Sequence, residues 1–499
     1  MLFNSLEFLI FFPVVLIIYF AVPKKIKNIW LLIASYYFYM CWNAKYAVLI
    51  LFSTIITFFS GIFIEKVKRY DFEREDIRVI CKKIIVLLSF AINLAILFYF
   101  KYINFALGIL QDIFSVFSVQ LNTPAFDIVL PVGISFYTFQ ALSYTMDVYR
   151  DDIYAEKNFF RYALFVSFFP QLVAGPIERS KNLLCQLAEP KRFDFDKAYE
   201  GFLLMLWGWF LKIVVADRIA IFVDNIYGNY YNFDGTYLIV ATILFAIQIY
   251  CDFSGYSIIA IGAAKFLGIN LMENFDAPYF ATSVSDFWRR WHISLTSWFK
   301  DYLYIPLGGS RKGKFRKYIN KMIVFLVSGL WHGAKISFIA WGGINGLYQI
   351  MEEVTSPLRA KVVEKYKINI NNFSHRLFQT VITFIMVDFS WIFFRADSFT
   401  SAVKIIEKIL NCETAKVLFD GSLYECGLDE KNFWFMIISI ILIIFADYCK
   451  TKGIKIRDFI MNQSGLFQVL FVSFSIVAVL TFGVYGVGVD KAAFIYFQF

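Results

Sequence analysis

Three histidines occur in the 499 residues, and two of them, His292 in FWRRWHISL and His332 in SGLWHGA, lie within forty residues of each other. A histidine inside an apolar segment is costly to leave unsatisfied, so its presence calls for a role. Neutral imidazole is suited to removing a proton near neutral pH. The loop YIPLGGSRKGKFRK between the two histidines adds Arg311, Lys312 and Lys314 beside a Gly-Gly turn. With Arg289 and Arg290, these cations are candidates to hold a phosphate-bearing donor, although the same charges also serve as a plain topology signal.

Further polar residues interrupt otherwise apolar segments: Asp252 and Ser254 in QIYCDFSGYS, Ser135, Tyr137 and Gln140 in PVGISFYTFQ, and Gln171 between Pro170 and Pro176. Each one alone reads as an interhelical hydrogen bond. Together with Trp331 and Asn345 they suggest one polar tunnel beside the histidines. The stretch DFWRRWHISLTSWFKDYLY reads as a single amphipathic helix, with Asp286 and Arg290 spaced for an ion pair. Seven cysteines show no metal-binding spacing, and no metal is expected.

The elements that must position these groups are membrane helices. The chain is 59% hydrophobic and only 17% charged, and its apolar runs repeatedly reach bilayer length, which excludes a water-soluble fold and an outer-membrane barrel. The net charge of +9 is spread over loops, which suits orientation in a membrane and not nucleic-acid binding. The opening MLFNSLEFLIFFPVVLIIYFAVPKK reads as a retained first helix, since its apolar core precedes its positive charges.

Counting Lys and Arg in the loops predicts ten crossings, at about 6–22, 29–44, 46–64, 84–103, 128–148, 199–222, 237–264, 377–396, 432–448 and 465–487, with the N-terminus outside. The stretch 104–127 reads as an external loop. The segment 286–321, with nine Lys/Arg against two Asp, lies inside, and 397–431, with seven acids against four lysines, lies outside. Two apolar stretches, 162–177 and 322–350, each fall between loops assigned to the same side, so each must be a re-entrant or broken hairpin. The second would have arms of about 14 residues, turning at Trp331-His332-Gly333-Ala334, with Gly329, Gly333, Gly342 and Gly346 letting the arms approach closely.

The segments FLIFFPVVLIIYFAVP, LPVGISFYTFQALSYTMDVYR, FFPQLVAGPIERS, QIYCDFSGYSIIAIGAAKFLGI, ENFDAPYFATSVSDFWRRWHISLTSWFKDYLYIPLGGSR and GLWHGA together resemble the membrane-bound O-acyltransferase family. More narrowly they resemble its bacterial branch, which O-acetylates alginate, peptidoglycan or cellulose, and more distantly its teichoic acid D-alanylating members. The resemblance covers nearly the whole chain in order. It implies an all-α polytopic membrane protein, a ring of about ten transmembrane helices plus two broken hairpins around a central tunnel. It also implies that His332 is the catalytic residue and that His292 assists. The implied donor is a cytosolic acyl-CoA, acetyl-CoA first, and the implied acceptor is an exported polysaccharide or cell-wall glycan. An extracytoplasmic acyltransferase partner and residence in the bacterial cytoplasmic membrane follow from the same resemblance.

The chain is expected to form one domain, with N-terminal helices to 127, a catalytic core over 128–350 and C-terminal helices beyond. Cys412 and Cys426, both in the external acidic loop, are spaced where a disulfide or two free thiols would serve. Two competing functions are D-alanyl transfer from a carrier protein to teichoic acid and transport without chemistry. Transport is disfavoured by the absence of self-similar halves.

Overall fold

The computed structural model describes residues 1–71, 74–119, 124, 126–173, 175–189, 191–412 and 415–485. Among these the regular elements are all helices. Six helical runs are long and apolar enough to cross a bilayer: Lys27–Arg69, Glu75–Lys101, Gly235–Phe266, Phe373–Arg395, Glu430–Thr451 and Gly465–Phe482. The protein is thus an all-α, multi-pass membrane protein. Lys27–Arg69 holds two of the expected crossings, Lys27–Asn43 and Ala47–Arg69, joined by the turn Ala44–Tyr46. The other expected crossings are shorter or interrupted. Leu6–Ala21 and Ile134–Tyr149 have 16 residues each, and 199–222 is split by a π-helical segment at Phe210–Ala216. The stretch read as an external loop after residue 103 instead begins with a helix, Ile103–Val116, because its apolar residues recur at helical spacing.

The chain groups into two compact units, one of Met1–Met205 with Ile259–Met272 and one of Leu206–Ile258 with Glu273–Phe499. The divisions expected at 127 and 350 fall inside one unit or the other.

In the first unit, the expected hairpin over 162–177 is two short helices, Phe159–Ser167 and Phe169–Leu172, broken at Phe168. A break in an apolar interior strands backbone groups that only neighbouring side chains can satisfy. The Phe165 carbonyl accepts from Gln140 (2.5 Å) and Gln171 (3.0 Å), and the Phe169 N–H donates to Ser35 Oγ (3.1 Å). Two polar residues read as tunnel markers therefore serve the break.

In the second unit, the second hairpin pairs Gly313–His332 with Ile336–Lys365. Its arms, of 20 and 30 residues, exceed the expected 14 because the helix runs on through lysine and arginine, which are good helix formers. A Cβ on Gly329 would lie 2.2 Å from the Phe338 carbonyl oxygen, and one on Gly342 would lie 2.2 Å from that of Phe325. The arms touch backbone to backbone there, and a Cβ on Gly333 would strike the Phe338 ring at 2.3 Å. Cys412 and Cys426 are free thiols, and Cys426 is buried with its Sγ 3.6 Å from the Ser422 carbonyl, so no disulfide forms between them.

Gly329→Ala and Gly342→Ala should each cost about 1–3 kcal/mol, the usual penalty for overpacking. Thermal unfolding in detergent should show a lower midpoint for both. Gly228→Ala, where a Cβ meets nothing within 4 Å, should change little.

Candidate functional site

His292 does not lie within one amphipathic helix. The expected helix over 286–304 splits into Val284–Arg290 and Ile293–Phe299, and His292 between them takes a left-handed conformation (φ 43°). The cause is Asn274, whose backbone carbonyl accepts from the Ile293 N–H (2.9 Å). Its Oδ1 accepts from the Ser294 N–H (3.2 Å) and the Ser294 hydroxyl (2.9 Å), and it lies 3.1 Å from His292 Nδ1. The first amides of the second helix are thus capped from a distant loop, and the chain pivots at His292. A left-handed residue other than glycine stores strain of about 1 kcal/mol or more, which tends to be found at functional sites. The ring is buried edge-on to Phe253 (4.6 Å) and lies 6.0 Å from Trp331. Burial lowers the proton affinity of His292, so its imidazole is neutral.

His332 closes the first arm of the hairpin and is buried in a box of rings. Trp331, Trp341 and Phe394 stand roughly perpendicular to it, with centroids at 4.9, 5.1 and 5.3 Å. The box is held from behind: Asn345 Oδ1 accepts from the Trp288 indole (3.2 Å), while its Nδ2 donates to the Trp341 carbonyl (2.9 Å). Trp341 in turn stacks on Trp391 at 5.7 Å. Asn345 therefore fixes the box wall through Trp288 and Trp341. Trp331 touches both histidine rings, which makes it the side chain that links them.

Asp252 is tied up in an ion-pair cluster. Lys212 Nζ lies 2.6 Å from Asp252 and 2.7 Å from Asp217, all three side chains being buried or nearly so. The π-helical turn at Phe210–Ala216 sets this up, since the Asp217 N–H bonds to the Lys212 carbonyl five residues back and brings the two side chains onto one face. Gly255 lets the helix carrying Asp252 close in, its absent Cβ being 2.8 Å from the Gly208 carbonyl. Ser254 is buried on the same helix. Ser135, Tyr137 and Gln140 lie in the other unit, all buried, with Gln140 at the Phe165 break.

Arg290 forms the expected pair with Asp286 at 3.1 Å, while Arg289, Arg311, Lys312 and Lys314 are exposed. Positive φ at Gly308 and Gly309 turns the basic loop, and Asn320 Nδ2 anchors it by donating to the Gly309 carbonyl (2.9 Å).

Sequence reasoning passed over Asn274, Trp341, Phe394 and Lys212. Asn274 lies in the quoted ENFDAPYF, but an asparagine in a loop carries no signal of what it caps. The Lys212–Asp217 pair is spaced by five, a spacing that only a π turn makes meaningful.

Residues 155–390, which include both histidines, match the membrane-bound O-acyltransferase family. The chain is 36% identical to a probable alginate O-acetylase of Pseudomonas aeruginosa over 83% of its own length and 76% of that protein's. It is 32% identical to the peptidoglycan O-acetyltransferase of Helicobacter pylori, covering 82% and 79%. It is 29% identical to the teichoic acid D-alanyltransferase of Bacillus subtilis, covering 56% and 72%.

Removing Lys212 alone leaves two carboxyl groups facing each other in the interior, a change that costs on the order of 3–5 kcal/mol. Lys212→Met should therefore destabilise the detergent-extracted protein strongly. The triple variant Lys212→Met/Asp217→Asn/Asp252→Asn should recover much of the loss. Recovery of the unfolding midpoint, read by heating, would place the cluster's role in stability.

Proposed function

Because the chain belongs to the membrane-bound O-acyltransferase family and is therefore an O-acyltransferase, we propose that it takes an acetyl group from cytosolic acetyl-CoA. The group is delivered across the bacterial cytoplasmic membrane for O-acetylation of an exported polysaccharide or cell-wall glycan. The observation that carries this reading is His332, buried in an aromatic box at the turn of a hairpin whose arms are locked by glycine. The relatives named for O-acetylation match at higher identity and over more of the chain than the one named for D-alanylation.

His332 acts as general base. It takes the proton of the acceptor hydroxyl as that oxygen attacks the thioester carbonyl, and it returns the proton to the departing thiolate as the C–S bond breaks. The tetrahedral intermediate carries an oxyanion that needs a donor nearby. With Asn345 committed to Trp288 and Trp341, Trp331 and His292 are the remaining candidates to assist. Arg289, Arg311, Lys312 and Lys314, exposed on the segment assigned to the cytoplasm, would meet the phosphates of the donor, with Arg290 beside them. A separate extracytoplasmic acyltransferase would receive the acetyl group where transfer is relayed. The second reading, D-alanyl transfer to teichoic acid from a carrier protein, rests on the Bacillus subtilis relative.

Acetyl transfer from radiolabelled acetyl-CoA to glycan or to the partner protein, at matched membrane levels, tests the assignment. His332→Ala should remain monodisperse and lose about 10²–10⁴-fold in rate, the usual contribution of a general base. Retention of more than a few per cent of transfer would overturn the role. Label transfer from a D-alanyl carrier and none from acetyl-CoA would select the second reading.

Replacing Arg311, Lys312 and Lys314 together with Gln should raise the apparent KM for acetyl-CoA while leaving the yield of folded protein intact. An unchanged KM would reduce the loop to a topology signal.

A further inference from the structure

The role of His292 is decided by which of its two ring nitrogens carries the proton, and Asn274 supplies the means to tell. Asn274 is buried in the second unit and meets three groups through one side-chain atom: the Ser294 N–H at 3.2 Å, the Ser294 hydroxyl at 2.9 Å and His292 Nδ1 at 3.1 Å. Which end of an asparagine amide is oxygen must be judged from its partners. Here one partner is a backbone N–H, which can only donate, so the atom facing it is the carbonyl oxygen. A carbonyl oxygen can only accept, and at 3.1 Å it would repel a bare ring lone pair. Nδ1 of His292 must therefore carry the hydrogen. In a neutral imidazole the other nitrogen, Nε2, is then the unprotonated one.

We propose that Asn274 is a positioning residue that locks His292 into its Nδ1–H tautomer and leaves Nε2 as a hydrogen-bond acceptor in the acyl-transfer site. This rests on the reading of the two histidines as the acyl-transfer pair. It assigns His292 one of the roles open to it. A neutral ring with a bare Nε2 cannot donate to an oxyanion, but it can hold the acceptor hydroxyl or take over its proton. The same residue fixes the ring's direction, because the Asn274 carbonyl binds the Ile293 N–H and holds His292 at its left-handed φ of 43°. Trp331, whose ring lies 6.0 Å from His292 and 4.9 Å from His332, then remains as the indole donor for the oxyanion.

The chain's three histidines make a direct reading practical. Full-length protein labelled with ¹⁵N-histidine and held in lipid nanodiscs gives one pair of ring nitrogen signals per histidine, with His292 assigned by its loss in His292→Gln. The expected result is a protonated Nδ1 and an unprotonated Nε2 for His292. Asn274→Ala should blur that signature into a mixture of tautomers and slow acetyl transfer by about 10–100-fold, as loss of a ring-orienting partner does elsewhere. Asn274→Asp, which keeps an acceptor at the same place, should restore the tautomer and most of the rate. A wild-type His292 protonated at Nε2 would overturn the proposal. So would an Asn274→Ala protein with an unchanged tautomer, and the wild-type spectrum decides the matter even if that variant fails to fold. The spectrum is independent of transfer activity, so an active His332→Ala protein would sink the base assignment while leaving the tautomer result standing.

Discussion

A helix that breaks where water cannot reach must have its exposed amides and carbonyls taken up by side chains, and this constraint governs the structure. The chain breaks helices at Phe168 and at His292, and it widens one at Phe210–Ala216. Each irregularity has its own partners. Ser35, Gln140 and Gln171 serve the first, and Asn274 serves the second. At the third, a lysine is held between two aspartates. The side chains at the first two sites are amides and hydroxyls, neutral groups that cost less to bury than charges.

The same constraint explains how much the amino-acid sequence disclosed. The long apolar runs and the two broken hairpins were legible because hydrophobic length and loop charge leave few ways to thread a chain through a bilayer. The glycines at 329, 333, 342 and 346 were legible because small residues at that spacing have few other uses in a membrane helix. The meaning of the polar residues was not. Gln140, Gln171 and Asp252 read as one tunnel, yet Gln140 and Gln171 share the Phe165 carbonyl and Asp252 faces Lys212. A polar residue in an apolar segment shows that something needs satisfying, and the partner is named only by tertiary contact. The break at His292 was hidden for a related reason. The residues from 284 to 299 keep helical spacing on both sides of it, and the residue that interrupts them stands eighteen positions earlier.

Around His332, aromatic packing sets the position of the ring. The edges and faces of Trp331, Trp341 and Phe394 fix the His332 ring on three sides, and Trp288 and Trp391 back that wall in turn. Aromatic rings bury much area at little conformational cost and prefer such perpendicular arrangements.

The two arms of the second hairpin are joined along their length as well as at their turn. Backbone contacts at Gly329 and Gly342 close the middle, and Lys317 and Lys321, both on Glu353 at 2.5 and 2.8 Å, close the far end. At Gly329 and Gly342 the seam has no room for even a methyl group. Nothing can therefore pass between the arms at Gly329 and Gly342, and His332 is open to approach only from a flank. The hairpin is thus closed at its middle and at its far end, and access to its turn is set by the elements packed beside it.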